Sequence, residues 1–217
     1  MEDRTDAAVA PHGSNVTDHW QDIYATRAHD SLSWFQNEPT TSLRLVEQFS
    51  TVESRIVDVG AGASQLAIRL LEHGYRDVTV LDLAHNVLEG VVDRAGTHVN
   101  HLSVVVGDVT RWRPERSYDL WHDRAVLHFL TVSEDQARYV STASRCVVEG
   151  GVLVIGVFAE DGPESCSGLV VQRYSVAGLV QLFTGHFDME HHEREVHSAP
   201  SGASQAFNWV VLRRRGS

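Results

Sequence analysis

The residues of this chain that are best suited to chemistry follow an apolar stretch: Asp58, then Gly60 and Gly62. Two glycines at a turn let the backbone bend tightly and approach a ligand closely. Two further carboxylates, Asp82 and Asp108, each come at the end of a later strand-like stretch. Because ligands of parallel sheets bind outside the carboxyl ends of the strands, we expect these three acids to line one crevice.

The residues of this crevice favour a cationic nucleoside cofactor over a dinucleotide. The dinucleotide fingerprint requires a third small residue at position 65, where this chain has Gln65. A pyrophosphate would also lie beside Asp58, and like charges repel in a partly desolvated site. S-adenosylmethionine carries a sulfonium and an ammonium group in place of phosphates, so a carboxylate at position 58 suits it. For each acid taken alone, a helix N-cap is the alternative.

Alternating strand-like and helix-like segments position these residues. The predicted strands cover 55–59, 77–82, 102–106, 118–121 and 152–157, and helical patterns at 64–72, 86–95 and 134–147 separate most of them. Such alternation predicts βαβ units and a parallel sheet. Two more strand-like stretches, 187–197 and 205–213, follow each other directly and predict a hairpin. The expected fold is α/β: a Rossmann-like, seven-stranded, mostly parallel sheet with helices on both faces and a C-terminal antiparallel hairpin.

The motifs at 58–62, 80–83, 107–109 and 149–151 resemble, in this order, those of class I S-adenosylmethionine-dependent methyltransferases. The resemblance extends over residues 17–215. A narrower likeness rests on 118–125 together with aromatic residues upstream. It is similar to the thiopurine-methyltransferase-like and METTL-type lysine methyltransferase branches. The resemblance implies S-adenosyl-L-methionine as the cofactor and methyl transfer as the reaction.

The resemblance also implies which residues meet the methionine end of the cofactor. The backbone of Gly60 and Gly62 would hold the methionine moiety, and Asp58 would lie near its amino group. His122, which ends the fourth predicted strand, would contact the same end through its backbone.

The nucleoside end is assigned to the next two strands. Asp82 would accept hydrogen bonds from both ribose hydroxyls, a role that its place at a strand end also supports. By the resemblance, Leu83 would flank the adenine ring, and Asp108 and Val109 would meet the adenine edge.

Three aromatic residues, Trp20, Tyr24 and Trp34, precede the first strand and suggest a lid over the cofactor. Aromatic faces attract a sulfonium as they attract other onium groups. The alternative is core packing, because Trp20 and Tyr24 share one face of a predicted amphipathic helix at 17–28.

The acceptor side is expected near the fourth and fifth strands. His128 is a candidate general base, since it follows Arg124 by four residues and would share its face on a helix. Arg173 is a candidate for holding an acceptor carboxylate. A packing role for His128 and a solvated surface position for Arg173 are the alternatives. The last hairpin turn should reach the same edge, which adds Gln205 and Phe207 as acceptor-pocket candidates.

Composition limits the partners. The net charge of −11 argues against nucleic acid and anionic membrane, which both require basic surface. No apolar run approaches the length of a membrane span. The two cysteines have no metal-ligand spacing, so no metal site is expected.

The N-terminus predicts the domain boundary. Residues 1–16 are polar and acidic without the apolar core of a secretory signal, so they are expected to form a disordered leader of a cytoplasmic protein. Residues 17–217 are expected to form one methyltransferase domain, with 17–36 as its lid segment.

The expected function is transfer of a methyl group to O, N or S of a small-molecule acceptor. A compact acidic chain with no peptide-binding domain favours a small acceptor, although acidity also suits a Lys or Arg substrate. The alternatives are a protein lysine methyltransferase and a non-catalytic S-adenosylmethionine-binding protein.

Overall fold

The computed structural model describes residues 14–63 and 65–216. Within them, helices and strands follow in the order α1 (Ser14–Thr26), α2 (Thr40–Phe49), β1 (Ile56–Val59), α3 (Leu66–Glu72), β2 (Val78–Asp82), α4 (His85–Ala95), β3 (Leu102–Val106), β4 (Tyr118–Arg124), α5 (Ser133–Cys146), β5 (Val147–Phe158), β6 (Ser165–Cys166), β7 (Leu169–Val170), α6 (Val176–Phe183), β8 (Phe187–Ser198) and β9 (Ser204–Arg214). Most of the predicted leader, residues 1–13, lies outside the described residues, whereas residues 14–16 belong to α1.

Seven strands form one sheet in the order β3-β2-β1-β4-β5-β9-β8. Strands β1 to β5 are parallel, and β9 is antiparallel to both β5 and β8. Strand β8 therefore runs in the direction of β5, and the turn after it lies at the carboxyl edge of the parallel strands. This confirms the predicted fold class. A separate two-stranded hairpin, β6–β7, follows β5.

Helices cover both faces of the sheet, which explains why its central strands are largely buried. Alternate residues of β1 pack into different cores, with Ile56 on the face of α2, α3 and α4 and Val57 on the face of α5 and α6. No helix among the described residues is long and apolar enough to cross a membrane.

Strand β4 is longer than predicted. Its last three residues, His122, Asp123 and Arg124, are polar, yet they pair in register with β5 and end at the level of Gly156. Partners elsewhere in the fold make this possible. His122 meets Asp58 on one face, and Asp123 accepts a hydrogen bond from Tyr139 on the other.

The strand after helix α5 begins earlier than the predicted residue 152. Helix α5 ends at Cys146, and β5 begins at Val147, so Gly150 and Gly151 lie inside the strand. Gly150 has φ +76° where the pairing register between β4 and β5 shifts. Glycine at this position therefore allows the local shift of register in the sheet.

Candidate active site

A cavity of about 460 Å³ lies at the carboxyl ends of β1 to β4. This volume falls within the usual range for small-molecule sites. Its floor includes Gly60, Asp82, Asp108 and Arg124, one from each of these strand ends or the turn that follows. The structure thus brings the glycine turn and two of the three predicted acids together.

The glycine turn requires its glycines for conformation and for space. Gly60 and Gly62 have φ values of +63° and +48°, which favour glycine. A Cβ at Gly60 would lie 1.9 Å from Cγ2 of Val126, and one at Gly62 would lie 2.3 Å from the hydroxyl of Tyr24. The bare backbone of this turn therefore allows neighbouring groups to approach it closely.

Asp82 connects the end of β2 to the glycine turn. Its Oδ2 accepts a hydrogen bond of 2.9 Å from the Gly62 amide, and its Oδ1 accepts one of 2.9 Å from the Ala84 amide. Each oxygen keeps a further lone pair for a ligand. The carboxyl is buried, and this burial raises its pKa to about 6. Asp82 therefore fixes the turn that leads into α4 and also lines the cavity.

Asp108 makes a local turn at the end of β3. Its Oδ1 accepts hydrogen bonds from the amide and hydroxyl of Thr110, at 2.8 and 2.7 Å. Its Oδ2 lies 3.8 Å from Nε of Arg111. Asp108 lines the cavity with its chain neighbour Val109, and Leu83 lines it from the neighbouring strand end.

Asp58 does not line the main cavity but forms a buried pair with His122 behind the glycine turn. The Asp58 Oδ1 lies 2.7 Å from Nδ1 of His122. The other oxygen, Oδ2, and the other ring nitrogen, Nε2, are buried without a hydrogen-bond partner among the described residues. Both residues line a second cavity of about 40 Å³, large enough for one water molecule. Gly60, Trp34 and Arg124 line both cavities.

The three predicted lid aromatics meet over the main cavity. The Trp20 ring centre lies 5.7 Å from that of Trp34 and 6.3 Å from that of Tyr24. Phe129, which the sequence did not indicate, completes the cluster at 5.1 Å from Trp20. These aromatics both pack on the core and line the cavity, so the lid and packing interpretations describe the same residues.

The short hairpin β6–β7 completes the cover. Cys166, Leu169 and Val170 of this hairpin line the cavity. Nε2 of His19, on α1, lies 3.1 Å from the carbonyl oxygen of Ser167. This contact joins the hairpin to the N-terminal helix.

His128 lies in the core, which agrees with its packing alternative. The helical face that it was expected to share with Arg124 is not formed, because Arg124 ends a strand and residues 127–129 form a separate short turn. Its ring lies 4.5 Å from those of Phe129 and Phe158, and neither nitrogen has a hydrogen-bond partner among the described residues. Burial, followed by the charge of Arg124, lowers its pKa to about 3. His128 lines neither cavity.

Arg173 also lies away from both cavities. Its guanidinium donates to the Gly162 carbonyl at 3.2 Å and to Glu164 at 3.0 Å. The side chain therefore braces the connection after β5, a position that differs from the expected acceptor contact.

Arg124 is the residue that sequence reasoning missed as a site in its own right. It ends β4, donates from Nη1 to the Trp34 carbonyl at 2.8 Å, and stacks 4.7 Å above the Phe207 ring centre. Its Nε and Nη2 are buried without a hydrogen-bond partner in the described part of the chain. Burial lowers the pKa of Arg124 to about 10, so it stays charged at neutral pH. Its position at a strand end was the signal in the sequence. A fourth strand predicted to extend to residue 124 would have revealed it.

Comparison with known proteins identifies related domains. Residues 56–151 match a family model described as a methyltransferase domain. The chain is similar to the eEF1A lysine and N-terminal methyltransferase of Mus musculus, with 23% identity over 177 residues that cover 80% of this chain and 23% of that protein. It is also similar to malonyl-acyl-carrier-protein O-methyltransferase 2 of Ilyobacter polytropus, with 20% identity over 136 residues, 62% of this chain and 51% of that one. The chain spans about a quarter of the length of the eEF1A relatives.

Solved structures share the fold. The 1,6-didemethyltoxoflavin-N1-methyltransferase of Burkholderia thailandensis aligns over 99% of each chain with a TM-score of 0.75 and 19% identity. The N-methyltransferase NodS of Bradyrhizobium japonicum aligns over 91% of this chain and 99% of its own, with a TM-score of 0.73 and 17% identity. Both contain S-adenosylhomocysteine. At these identities, the likeness establishes the fold.

Two observations test whether S-adenosylmethionine fits this edge of the sheet. The first is the glycine turn, where a side chain on Gly60 or Gly62 would collide with its neighbours. The second is Oδ2 of Asp58, a buried acceptor without a partner among the described residues, which suits an ammonium group. Both observations fit a cationic amino-acid nucleoside. In the described part of the chain, no group of three or more His, Cys, Asp or Glu side chains is placed to hold a metal ion.

Proposed function

We propose a small-molecule methyl acceptor for this chain, which is a class I S-adenosylmethionine-dependent methyltransferase by its domain match and its fold. S-adenosyl-L-methionine is its cofactor, as the sequence predicted. The narrower likeness to the thiopurine-methyltransferase-like and METTL-type branches is not confirmed. The acceptor is therefore argued from the cavity.

In this proposal the methionine end of the cofactor meets the first strand. The bound cofactor supplies an electrophilic methyl group on a sulfonium. The glycine turn holds the methionine moiety through its backbone. Its ammonium reaches the partner-free oxygen of Asp58 in the small cavity behind the turn, which shares Gly60 with the main cavity. His122 fixes the other oxygen of Asp58 and adjoins the same end of the cofactor.

The nucleoside end meets the next two strands. Asp82 accepts hydrogen bonds from the ribose with the lone pairs that Gly62 and Ala84 leave free. Leu83 flanks the adenine, and Asp108 and Val109 meet its edge. The lid aromatics Trp20, Tyr24 and Trp34 and their neighbours exclude water from the reacting atoms. With no side chain assigned as a base, positioning of the acceptor for in-line attack is the main catalytic contribution.

The aromatic residues that cover the cavity are the observation that supports a small-molecule acceptor. Trp20, Trp34 and Phe129 lie over the strand ends, and the β6–β7 hairpin lines the same space. A small nucleophile can be enclosed under such a cover, whereas a residue of a folded protein must be admitted with its backbone.

We also infer a cytoplasmic location, as expected from the sequence.

A protein lysine methyltransferase is the second candidate, and the eEF1A relatives favour it. The match covers only about a quarter of those relatives, so their activity does not transfer directly. The charge of Arg124 opposes this candidate, because a guanidinium beside the cavity repels a lysine ammonium.

A two-arm methylation assay tests the proposal. One arm contains small thiols, phenols, amines and carboxylic acids, and the other contains unmodified lysine-rich proteins such as histones. Both receive S-adenosylmethionine labelled in the methyl group, and S-adenosylhomocysteine is measured. We expect turnover only with the small molecules, and less of it with the Asp82→Ala variant when the cofactor is limiting. Label incorporated into lysine, with no turnover in the first arm, would replace the proposal by the second candidate.

A further inference from the structure

Arg124 differs from the other arginines that line the main cavity. Arg111 has Asp108 within 4 Å, and Arg138 has both Glu134 and Asp135. Arg124 has no carboxylate within this distance among the described residues. It therefore brings to the cavity a positive charge without an ion-pair contact among the described residues.

The acid that acts on Arg124 electrostatically, Glu195, is engaged with other groups. Its Oε1 accepts a hydrogen bond of 2.9 Å from Gln36, and its Oε2 accepts one of 2.7 Å from the indole of Trp209. Glu195 thus fixes the N-terminal segment and β9, and it lies beyond direct contact with the guanidinium.

The two partner-free nitrogens of Arg124 form a geometric pair. Nε and Nη2 lie on the same side of a guanidinium and point two parallel N–H groups at a carboxylate. Arg55 shows this arrangement in the same chain, where Nε and Nη2 donate to Asp119 at 2.9 and 2.8 Å. In Arg124 the same two nitrogens are buried and partner-free among the described residues. A buried N–H group without a partner is unfavourable, so an anion that accepts from both would be bound strongly.

The position of Arg124 separates it from the nucleoside end. Asp82 and Asp108 end β2 and β3, whereas the Arg124 guanidinium stacks on Phe207 of β9. In the sheet, β1 separates β2 from β4, which carries Arg124, and β5 separates β4 from β9, which carries Phe207. The guanidinium therefore lies on the β9 side of Arg124, away from Asp82 and Asp108. Gln205 and Phe207, the predicted acceptor-pocket residues of β9, are buried and line neither cavity.

We infer that Arg124 binds the carboxylate of an anionic methyl acceptor through Nε and Nη2. The inference rests on the proposed small-molecule function and adds the chemical class of its acceptor. Since Trp34 accepts a hydrogen bond from Nη1 and helps cover the guanidinium, the segment that carries Trp34 must shift to admit the acid. The carboxylate of the cofactor's methionine is a second source of the same chemistry, and the experiment separates the two.

The test compares benzoate with benzamide, a planar carboxylate and its neutral analogue of similar shape. Calorimetry measures their binding to the wild-type complex with S-adenosylhomocysteine and to the same complexes of the Arg124→Gln, Arg124→Lys and Arg138→Gln variants. We expect wild type to prefer benzoate about tenfold or more, the gain of charge-assisted hydrogen bonds. Arg124→Gln should lose this preference, and Arg124→Lys should keep only part of it. Arg138→Gln, whose side chain also lines the cavity, should retain it.

Cofactor affinity decides the source of the carboxylate. S-adenosylhomocysteine and 5′-methylthioadenosine, which lacks the amino-acid end, are titrated into wild type and Arg124→Gln. Unchanged affinities support the acceptor. A loss confined to S-adenosylhomocysteine would assign Arg124 to the methionine carboxylate and overturn the inference. Equal binding of benzoate and benzamide to wild type would also overturn it, even if every variant failed to fold. Failure of wild type to bind S-adenosylhomocysteine would instead refute the cofactor residues of the proposed function.

Discussion

The two ends of the parallel strands differ in how their charged side chains are paired. At the amino ends, Arg55 binds Asp119 with two hydrogen bonds, and Arg116 pairs with Asp77. At the carboxyl ends, polar atoms of Asp58, His122 and Arg124 are buried without partners among the described residues. Each such group destabilises a fold by about 1–3 kcal/mol. The charged side chains of the amino end are therefore paired, although Thr79 Oγ1 is buried without a partner among the described residues, whereas the carboxyl end keeps charged donors and acceptors for a ligand.

Glycine substitutions at the two ends should give the largest contrast. In Gly60→Ala, the new Cβ would collide with Val126, and we expect cofactor binding to be lost in calorimetry. Gly150→Ala is the matched control at the amino end, with φ +76° and open space around the position. It should lower the free energy of unfolding by about 1–2 kcal/mol through backbone strain alone. Normal cofactor affinity in Gly60→Ala would contradict the role of the glycine turn.

Carboxylate substitutions should sharpen the comparison. Asp82→Ala removes ribose hydrogen bonds of about 1.5–3 kcal/mol each, so cofactor affinity should fall about tenfold or more. Asp119→Ala, at the opposite end, should change stability by about 1 kcal/mol or less and leave affinity unchanged, because its ion pair is partly exposed. Equal cofactor affinities of the two folded variants would mean that Asp82 only fixes the turn that leads into α4.

His128 should be an exception among the buried polar groups at the carboxyl end, because we expect it to affect stability and not ligand binding. Its pKa is about 3 in the folded chain and near 6.5 when unfolded, so below pH 6.5 only the unfolded state takes up its proton. Stability should therefore fall by about 1.4 kcal/mol per pH unit as the pH decreases from 6.5 towards 3. His128→Leu should remove this contribution in urea unfolding between pH 4 and 7 and keep kcat. A loss of kcat by about 10² or more in a stable variant would restore the general base.

Hydrogen exchange should give the smallest effect. Binding of S-adenosylhomocysteine should slow exchange across residues 17–36, because the aromatics of this segment line the cavity. Residues 50–55, before β1, should exchange at the same rate with and without ligand. A uniform slowing of both segments would indicate global stabilisation, and no change at 17–36 would leave Trp20 and Tyr24 as ordinary core.

Local sequence patterns predicted the elements that need no distant partner. The strand at 56–59 and the turn at Gly60 were predictable because apolar runs and glycines act locally. The end of β4 was not, since His122 and Asp123 remain in a buried strand only through Asp58 and Tyr139. Those contacts join residues distant in sequence.

The same limit explains the outcome for the candidate site. Asp82 was found from its place at a strand end, and the structure puts it in the cavity. Arg124 was missed because the strand was ended three residues too early, and His128 was given a helical neighbour that it does not have. An error in one strand end thus moved attention from a residue that lines the cavity to one that does not.

The β6–β7 hairpin forms part of the enclosure without being part of the main sheet. Its two strands have two residues each, and its tip holds Ser167 and Gly168 with positive φ values. Changes of length in such a surface loop add little entropic penalty, about 0.6 kcal/mol per doubling. Hairpins of other lengths could therefore replace the segment between Glu164 and Val171. Such replacements would change which acceptors are bound and leave the cofactor-binding residues unchanged.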